Sequence, residues 1–321
     1  MKIIKSNRIY LEDGCKSGYL FVEGNKIVDF KEELDSELEV VDYGDNRIIP
    51  GIIDTHTHGM LGYFLMRAED ETDEDVEYNI RGYLMAQASF GVTGVLPTAQ
   101  PTIFANIAQL AKGTYQGAKI LGIHSEGPYL SRVGEKGRPR PHPPVDLDFV
   151  KKMVKDADGM LKLVALAPEI EGIDVVMEYL NSENIKMAMA HSDLQYEGTL
   201  KAIEKGISVS THLGNVMTGL HHRDIGGLGA LVTSEQVDNE IVCDGFHLSL
   251  PFISLLFRIQ DYSRFMMISD SIHLAGIQPG VYPGYLPNTQ IHVDELGFIR
   301  DQDGRINGSS KAVLYGISNL V

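Results

Sequence analysis

A chain of 321 residues is long enough for a barrel of about 250 residues with a small domain beside it. Its hydrophobic share of 43% and charged share of 22% are those of an ordinary globular protein, and its formal net charge of −16 argues against a nucleic acid or an anionic membrane surface as partner. No uncharged apolar stretch reaches the ~18 residues of a membrane span, the N-terminus has no signal-peptide pattern, and Cys15 and Cys243 read as reduced thiols of a cytoplasmic protein.

Residues 1–50 read as a small β accessory domain. Residues 2–4, 18–22 and 26–30 are β-rich runs, the last two joined by the Glu23-Gly24-Asn25 turn. Pro50-Gly51 marks the entry into a second part, 51–321, where apolar β-like runs alternate with helix-like ones, the pattern of a parallel sheet. Eight candidate strands end near His58, Pro97, Glu126, Pro168, His191, His212, His247 and Asp270, with helix-like runs at 73–90, 102–112, 145–156, 172–182 and 195–206. Eight strands close a (β/α)8 TIM-like barrel. A doubly wound open sheet is the alternative, but no glycine-rich nucleotide turn follows the first strand. After Gly308-Ser309-Ser310 a last helix-like run reaches Val321. No strand then remains for a two-segment accessory β-sandwich. That domain is expected to be incomplete at the C-terminus, the chain being a truncated form of a longer protein.

Residues with chemistry gather at the strand ends. In His56-Thr57-His58 the two imidazoles are two residues apart and can face one metal ion. Such a pair also arises by chance, but its place at a strand end before Gly59 favours ligation. Glu126 ends the run Gly122-Ile123-His124-Ser125-Glu126-Gly127-Pro128. It either bonds the turn that follows or supplies a hard oxygen to a divalent ion. His124 reads as a barrel-interior residue rather than a partner of the ion. His191 and His212, at equivalent strand ends, make with Glu126 three protein ligands with room for water, the open arrangement of a catalytic zinc. Such an ion lowers the pKa of water toward about 7 and polarises a carbonyl. Asp270 is either a helix cap or the general base and later acid beside that water. Asp193 reads as a helix cap.

These residues, in this order, resemble the amidohydrolase superfamily and, within it, the N-acetylglucosamine-6-phosphate deacetylases. The likeness runs from residues 50–59 to the end of the chain. It is most specific in His124-Ser125-Glu126-Gly127-Pro128-Tyr129-Leu130, Ala190-His191-Ser192-Asp193, Thr211-His212-Leu213-Gly214-Asn215-Val216-Met217, His221-His222-Arg223-Asp224 and Asp244-Gly245-Phe246-His247. The resemblance implies release of acetate from N-acetylglucosamine 6-phosphate. It implies Glu126, His191 and His212 around a catalytic ion, zinc first and iron second, with His56 and His58 permitting another, so one or two per subunit. It gives Asp270 the acid/base role, and Asn215, the Val216 backbone, Arg223 and His247 the sugar phosphate. It also implies a homodimer in which Arg223 reaches the neighbouring active site, against the plainer reading of a solvated loop charge. Gly214 stands where a bulky residue is usual, and Ser269-Asp270-Ser271 where Thr-Asp-Ala is usual. The loop 131–142 is longer than the family segment, although His142 could still reach the substrate's amide oxygen. These departures leave two alternatives, an amidohydrolase for another N-acyl or small amide substrate and an inactive sugar-phosphate-binding fragment.

Overall fold

Turn-linked runs rich in β-branched and aromatic residues make a sheet of five strands from the first fifty-one residues. In the computed structural model, which describes residues 1–35, 38–133, 138–139, 141–284 and 288–320, this sheet forms one unit, Met1–Gly51, and the second unit is Ile52–Val321. Lys2–Leu11, Gly14–Glu23 and Lys26–Lys31 form an antiparallel meander, and Val40–Asp42 and Arg47–Ile48 run parallel to the first strand. Ile3, Ile9, Leu20 and Phe21 are its buried apolar residues.

In the second unit each of the eight apolar runs is a strand. They are β1 (Ile52–Thr57), β2 (Val92–Pro97), β3 (Ile123–Glu126), β4 (Leu161–Leu166), β5 (Lys186–Met189), β6 (Ile207–Ser210), β7 (Asp238–Val242) and β8 (Phe265–Ile268). β3 to β8 form one parallel sheet in chain order, and β1 and β2 pair in another that also holds the short strand Lys119–Ile120. Single parallel bridges join the sheets at both edges, Thr98 to His124 and Thr57 to Ser271. The result is an α/β unit with a curled parallel sheet.

Helices follow the strands: α1 (Asp73–Ser89), α2 (Phe104–Ala111), α3 (Leu147–Asp156), α4 (Asp174–Ser182), α5 (Tyr196–Glu204), α6 (Gly226–Thr233), α7 (Leu250–Ile259) and α8 (Val313–Ser318). Their ends obey local chemistry. Thr72 and Asp75 form a capping box on α1, and Asp146 and Ser249 cap α3 and α7. α6 and α7 are not among the helix-like runs expected from the sequence, and of the two only α6 lacks an amphipathic period. The sequence of α6, Gly-Gly-Leu-Gly-Ala-Leu-Val-Thr, is poor in helix formers and buried from Gly226 to Val232. Also unforeseen is a three-stranded antiparallel sheet between β8 and α8, Gly280–Pro283, Gln290–Val293 and Ile299–Asp301. The expected last helix is α8, and Val321 lies outside the described residues. Among the described residues no helix is long and apolar enough to cross a membrane.

Both faces of the parallel sheet are buried, as its near-continuous apolar strands require. Val164, Leu166, Met187 and Met189 join the large core beneath the helices. Their neighbours Leu163, Ala165, Ala188 and Ala190 form a small separate cluster with Val209 and Leu130. Alternation along a strand sorts the two sets, and small alanines on the inner side leave room for longer polar side chains at the strand ends.

Gly117 packs against the backbone of α1. With φ of 101°, its added Cβ would lie 2.5 Å from Leu84 C and O. Gly117→Ala is therefore expected to destabilise the protein by roughly 1–3 kcal/mol, lowering Tm by about 2–4 °C per kcal/mol in a thermal melt.

Candidate metal centre

Glu126 leaves the end of β3 on the inner side, its register partner being Ala165 of the inner cluster. Oε1 lies 3.1 Å from His191 Nε2 and 3.2 Å from His212 Nε2, and those two nitrogens are 3.1 Å apart. Oε2 lies 3.3 Å from His58 Nε2 and 3.8 Å from His56 Nε2, which are 3.2 Å apart. Asp270 Oδ1 stands 3.5 Å from both His56 Nε2 and His58 Nε2. Glu126 thus offers one oxygen to each of two histidine pairs.

The triangle Glu126–His191–His212 is a little tighter than one face of a tetrahedral shell, whose ligand atoms lie about 3.3–3.6 Å apart for bonds of about 2.0–2.2 Å. The outer ring nitrogens support the same reading. His191 Nδ1 donates to Arg132 O at 2.9 Å and His56 Nδ1 to Glu240 Oε2 at 2.9 Å, so in the neutral rings both Nε2 lone pairs turn inward. Nitrogen and carboxylate donors suit zinc or a similar divalent ion. The residues present therefore fit such a group at Glu126–His191–His212 and at His56–His58–Glu126.

Three residues of this centre have left-handed backbones: His191 (φ 49°), His212 (φ 31°) and Asp270 (φ 50°). Left-handed non-glycine residues cost of order 1–3 kcal/mol each and gather at functional sites. At β5 the benefit is visible. Ala188 and Ala190 face inward, so alternation alone would turn His191 outward, and the left-handed residue brings its imidazole back toward Glu126.

Burial alone would raise the Glu126 carboxyl, yet hydrogen bonds to His191, His212, His56 and His58 hold it well below the usual carboxylate range. Burial likewise raises Asp270, but the His58 hydrogen bond and the charges of His56 and His212 overcome it and keep Asp270 ionised. For His58, burial lowers the imidazole while the Asp270 and Glu126 carboxylates lift it to about 9. His124 is pushed down to about 4, by burial first and by His56 second.

The other candidates are more scattered. Asn215 and Val216 follow His212 directly, with Asn215 Nδ2 donating to His212 O at 3.1 Å and Val216 at φ 50°. His247 Nδ1 donates to Asp244 Oδ2 at 2.9 Å beyond β7. Arg223 is exposed and its Nη1 lies 2.7 Å from His222 Nε2. His142 is exposed, Nδ1 bonding Pro143 O at 2.9 Å, and among the described residues no hydrogen bond joins it to the histidine cluster. Residues 134–137 and 140 of its loop lie outside the described residues.

One expectation is corrected. Asp193 is not a helix cap; it pairs with Arg132 at 2.9 Å, and Gln195 precedes α5 without a side-chain cap. Several positioning residues also went unseen. Asp54 accepts from Ser269 Oγ at 2.5 Å and Ser269 N at 3.2 Å, tying β1 to the end of β8. Glu169 accepts from Ser192 Oγ at 2.7 Å, Asp193 N at 2.6 Å and Ser131 Oγ, bracing the backbone around His191. A buried acidic residue in an apolar run was the available signal for Asp54.

The amidohydrolase family profile matches residues 47–254. The chain belongs to the amidohydrolase family. Its members are metal-dependent hydrolases, the superfamily to which the strand-end motifs pointed. This amidohydrolase is 30% identical over 295 residues to the N-acetylglucosamine-6-phosphate deacetylase of Bacillus subtilis (strain 168), spanning 87% of the chain and 73% of that relative. It is 28% identical over 325 residues to the N-acetylgalactosamine-6-phosphate deacetylase of Escherichia coli O157:H7, spanning 99% and 83%. Among solved structures, the N-acetylglucosamine-6-phosphate deacetylase of Thermotoga maritima superposes with a TM-score of 0.73 at 26% identity, over 99% of this chain and 83% of that one. A mutant of the Mycobacterium smegmatis enzyme in complex with N-acetyl-D-glucosamine-6-phosphate does so with a TM-score of 0.80 at 25% identity, over 96% and 80%.

Since the Asp270 and Glu126 carboxylates lift His58 to about 9, a cation taken up at its Nε2 at neutral pH displaces a proton. Apparent affinity should fall up to about tenfold per pH unit below 9 for each proton displaced, and calorimetry in buffers of different ionisation enthalpy measures the release. Because Glu126 serves both histidine pairs, Glu126→Gln should weaken loading at both, by at least about tenfold, seen as metal content after dialysis.

Proposed function

We propose that this amidohydrolase removes acetate from N-acetylglucosamine 6-phosphate, giving glucosamine 6-phosphate. The observation that carries the reading is the Glu126 carboxylate set between two histidine pairs with an ionised Asp270 beside them. The named relatives support the substrate class. Glu126, His191 and His212 would hold one divalent ion, zinc or secondarily iron, and His56 and His58 with Glu126 a second. The bound ion supplies Lewis acidity toward the acetamide carbonyl and lowers the pKa of water.

Asp270 Oδ1 takes a proton from the attacking water as its oxygen bonds to the carbonyl carbon. It then delivers that proton to the amine nitrogen as the C–N bond breaks and returns to its anion. The amine and acetic acid leave, the water's second proton passing from the acid to the amine or to solvent to give acetate. The depressed pKa of Asp270 keeps the base form populated before turnover. His142 would meet the acetamide oxygen. Asn215, the Val216 backbone and His247 would hold the sugar phosphate, with local cations offsetting the acidic surface. We place Arg223 in the same role toward the neighbouring subunit of a homodimer, a reading consistent with its exposure on the loop before α6.

The bridges of Thr98 to His124 and Thr57 to Ser271 support closure of the eight strands into a (β/α)8 barrel over residues 51–321. Residues 1–50 would be the β-sandwich accessory domain, and a sugar phosphate substrate fits a cytoplasmic enzyme. A second reading, the galactosamine epimer as substrate, is favoured by a relative of that name matched over 99% of this chain.

Acetate release from N-acetylglucosamine 6-phosphate, its galactosamine epimer and the unphosphorylated sugars separates these readings. Phosphorylated substrates should lead by at least about tenfold in kcat/KM, a difference of about 1.4 kcal/mol. Full metal occupancy without acetate release from any of them sinks the proposal. Asp270→Asn should lower kcat by about 10²–10⁴ while metal content stays. Arg223→Ala should raise KM for the phosphorylated sugar, and mixing it with Asp270→Asn should restore activity in mixed dimers.

A further inference from the structure

Glu240 is a wholly buried carboxylate in β7 that the hydrolytic scheme leaves unused, with Ile241, Val242 and Cys243 buried beside it. Burying a carboxylate is costly unless it is paired, so its partners define its role. Oε2 accepts from His56 Nδ1 at 2.9 Å and from the His212 backbone N–H at 3.4 Å, and Oε1 lies 3.5 Å from Thr55 Oγ1. Its backbone carbonyl accepts from Leu213 N at 2.7 Å. One residue of β7 therefore grips the end of β1 through an imidazole and the end of β6 through its backbone.

We propose that Glu240 is a positioning residue for the hydrolytic centre. Its carboxylate holds the His56 ring with Nδ1 protonated, so that Nε2 faces His58 and Glu126, and steadies the left-handed His212. The ring cannot turn away on its other side, where His124 packs edge-on with centroids 4.6 Å apart and bonds Thr55 O through Nδ1 at 3.1 Å. His56, His124 and Glu240 are close enough to suggest a third cation site. All three are fully buried, however, and the 2.9 Å contact between His56 Nδ1 and Glu240 is that of an ordinary N–H···O hydrogen bond, which occupies the nitrogen such a cation would need. A negative charge on the outer nitrogen also raises the basicity of the inner one, and losing such a partner typically costs 10–100-fold in metal affinity, order of magnitude.

The inference rests on the proposed reading of His56 as a ligand, and its test keeps the two apart. In the full chain, wild type, Glu240→Gln and Glu240→Leu are compared by zinc competition with a chelator and by proton–nitrogen NMR of the imidazoles. Glu240→Leu should weaken the His56/His58 equivalent by about 10–100-fold and the Glu126/His191/His212 equivalent by less. Glu240→Gln, which keeps an acceptor, should recover part of the loss. A downfield, slowly exchanging Nδ1 proton on His56 should appear in metal-free wild type and Glu240→Gln, and vanish in Glu240→Leu. The proposal is overturned if that proton persists in Glu240→Leu. It is equally overturned if both equivalents weaken together with the thermal transition, which marks a general structural role. If wild type takes up a single equivalent that Glu240→Leu leaves unweakened, the reading of His56 and His58 as ligands fails, and the Nδ1 proton still decides the role of Glu240.

Discussion

The Glu126 carboxylate lies within 3.8 Å of four imidazole nitrogens, Oε1 against His191 and His212 and Oε2 against His58 and His56, and much of the second unit serves to keep these five groups together. An anion so buried is stable only with cationic or hydrogen-bonding neighbours on every side. In the metal-free chain the imidazoles meet that need, and the same contacts push Glu126 down and His58 up.

Holding the five groups in place takes backbone that would not be stable alone. The left-handed His191, His212 and Asp270 are each pinned by hydrogen bonds from neighbouring segments. His191 O accepts from Ser131 N and Arg132 N, and Asp270 receives Ser309 N at its carbonyl while its own N–H donates to His56 O. His212 donates its N–H to the Glu240 carboxylate, and the next residue, Leu213, donates to the Glu240 carbonyl. Strained positions persist where the surroundings determine them this thoroughly. Asp54 and Glu169 extend the same logic one layer outward, each a buried or half-buried carboxylate that ties a loop to its neighbour.

The parallel strands were legible because both their faces are buried, which makes each an apolar run closed by a polar residue with ligand chemistry. The first five helical stretches were legible as helix-like runs alternating with the strands, and Thr72 and Asp146 cap two of them. Helix α6 was not, since three glycines and burial on nearly all sides erase the period. Glu240 was hidden for a different reason. In Asp238-Asn239-Glu240 it looks like the polar start of a strand, and only the fold shows that His56, 184 residues away in sequence, waits for its charge. Asp193 misled because the helix that it seemed to open begins three residues later, at Tyr196.

The segment after Glu126 carries Arg132, whose backbone carbonyl fixes the His191 ring. That segment thus also sets the orientation of the His191 imidazole toward Glu126. Insertions or deletions there are not free variations at a rim, since a shift of one backbone carbonyl is felt at the inner nitrogen of His191. Any change in this segment that moves the Arg132 carbonyl also changes how His191 faces Glu126.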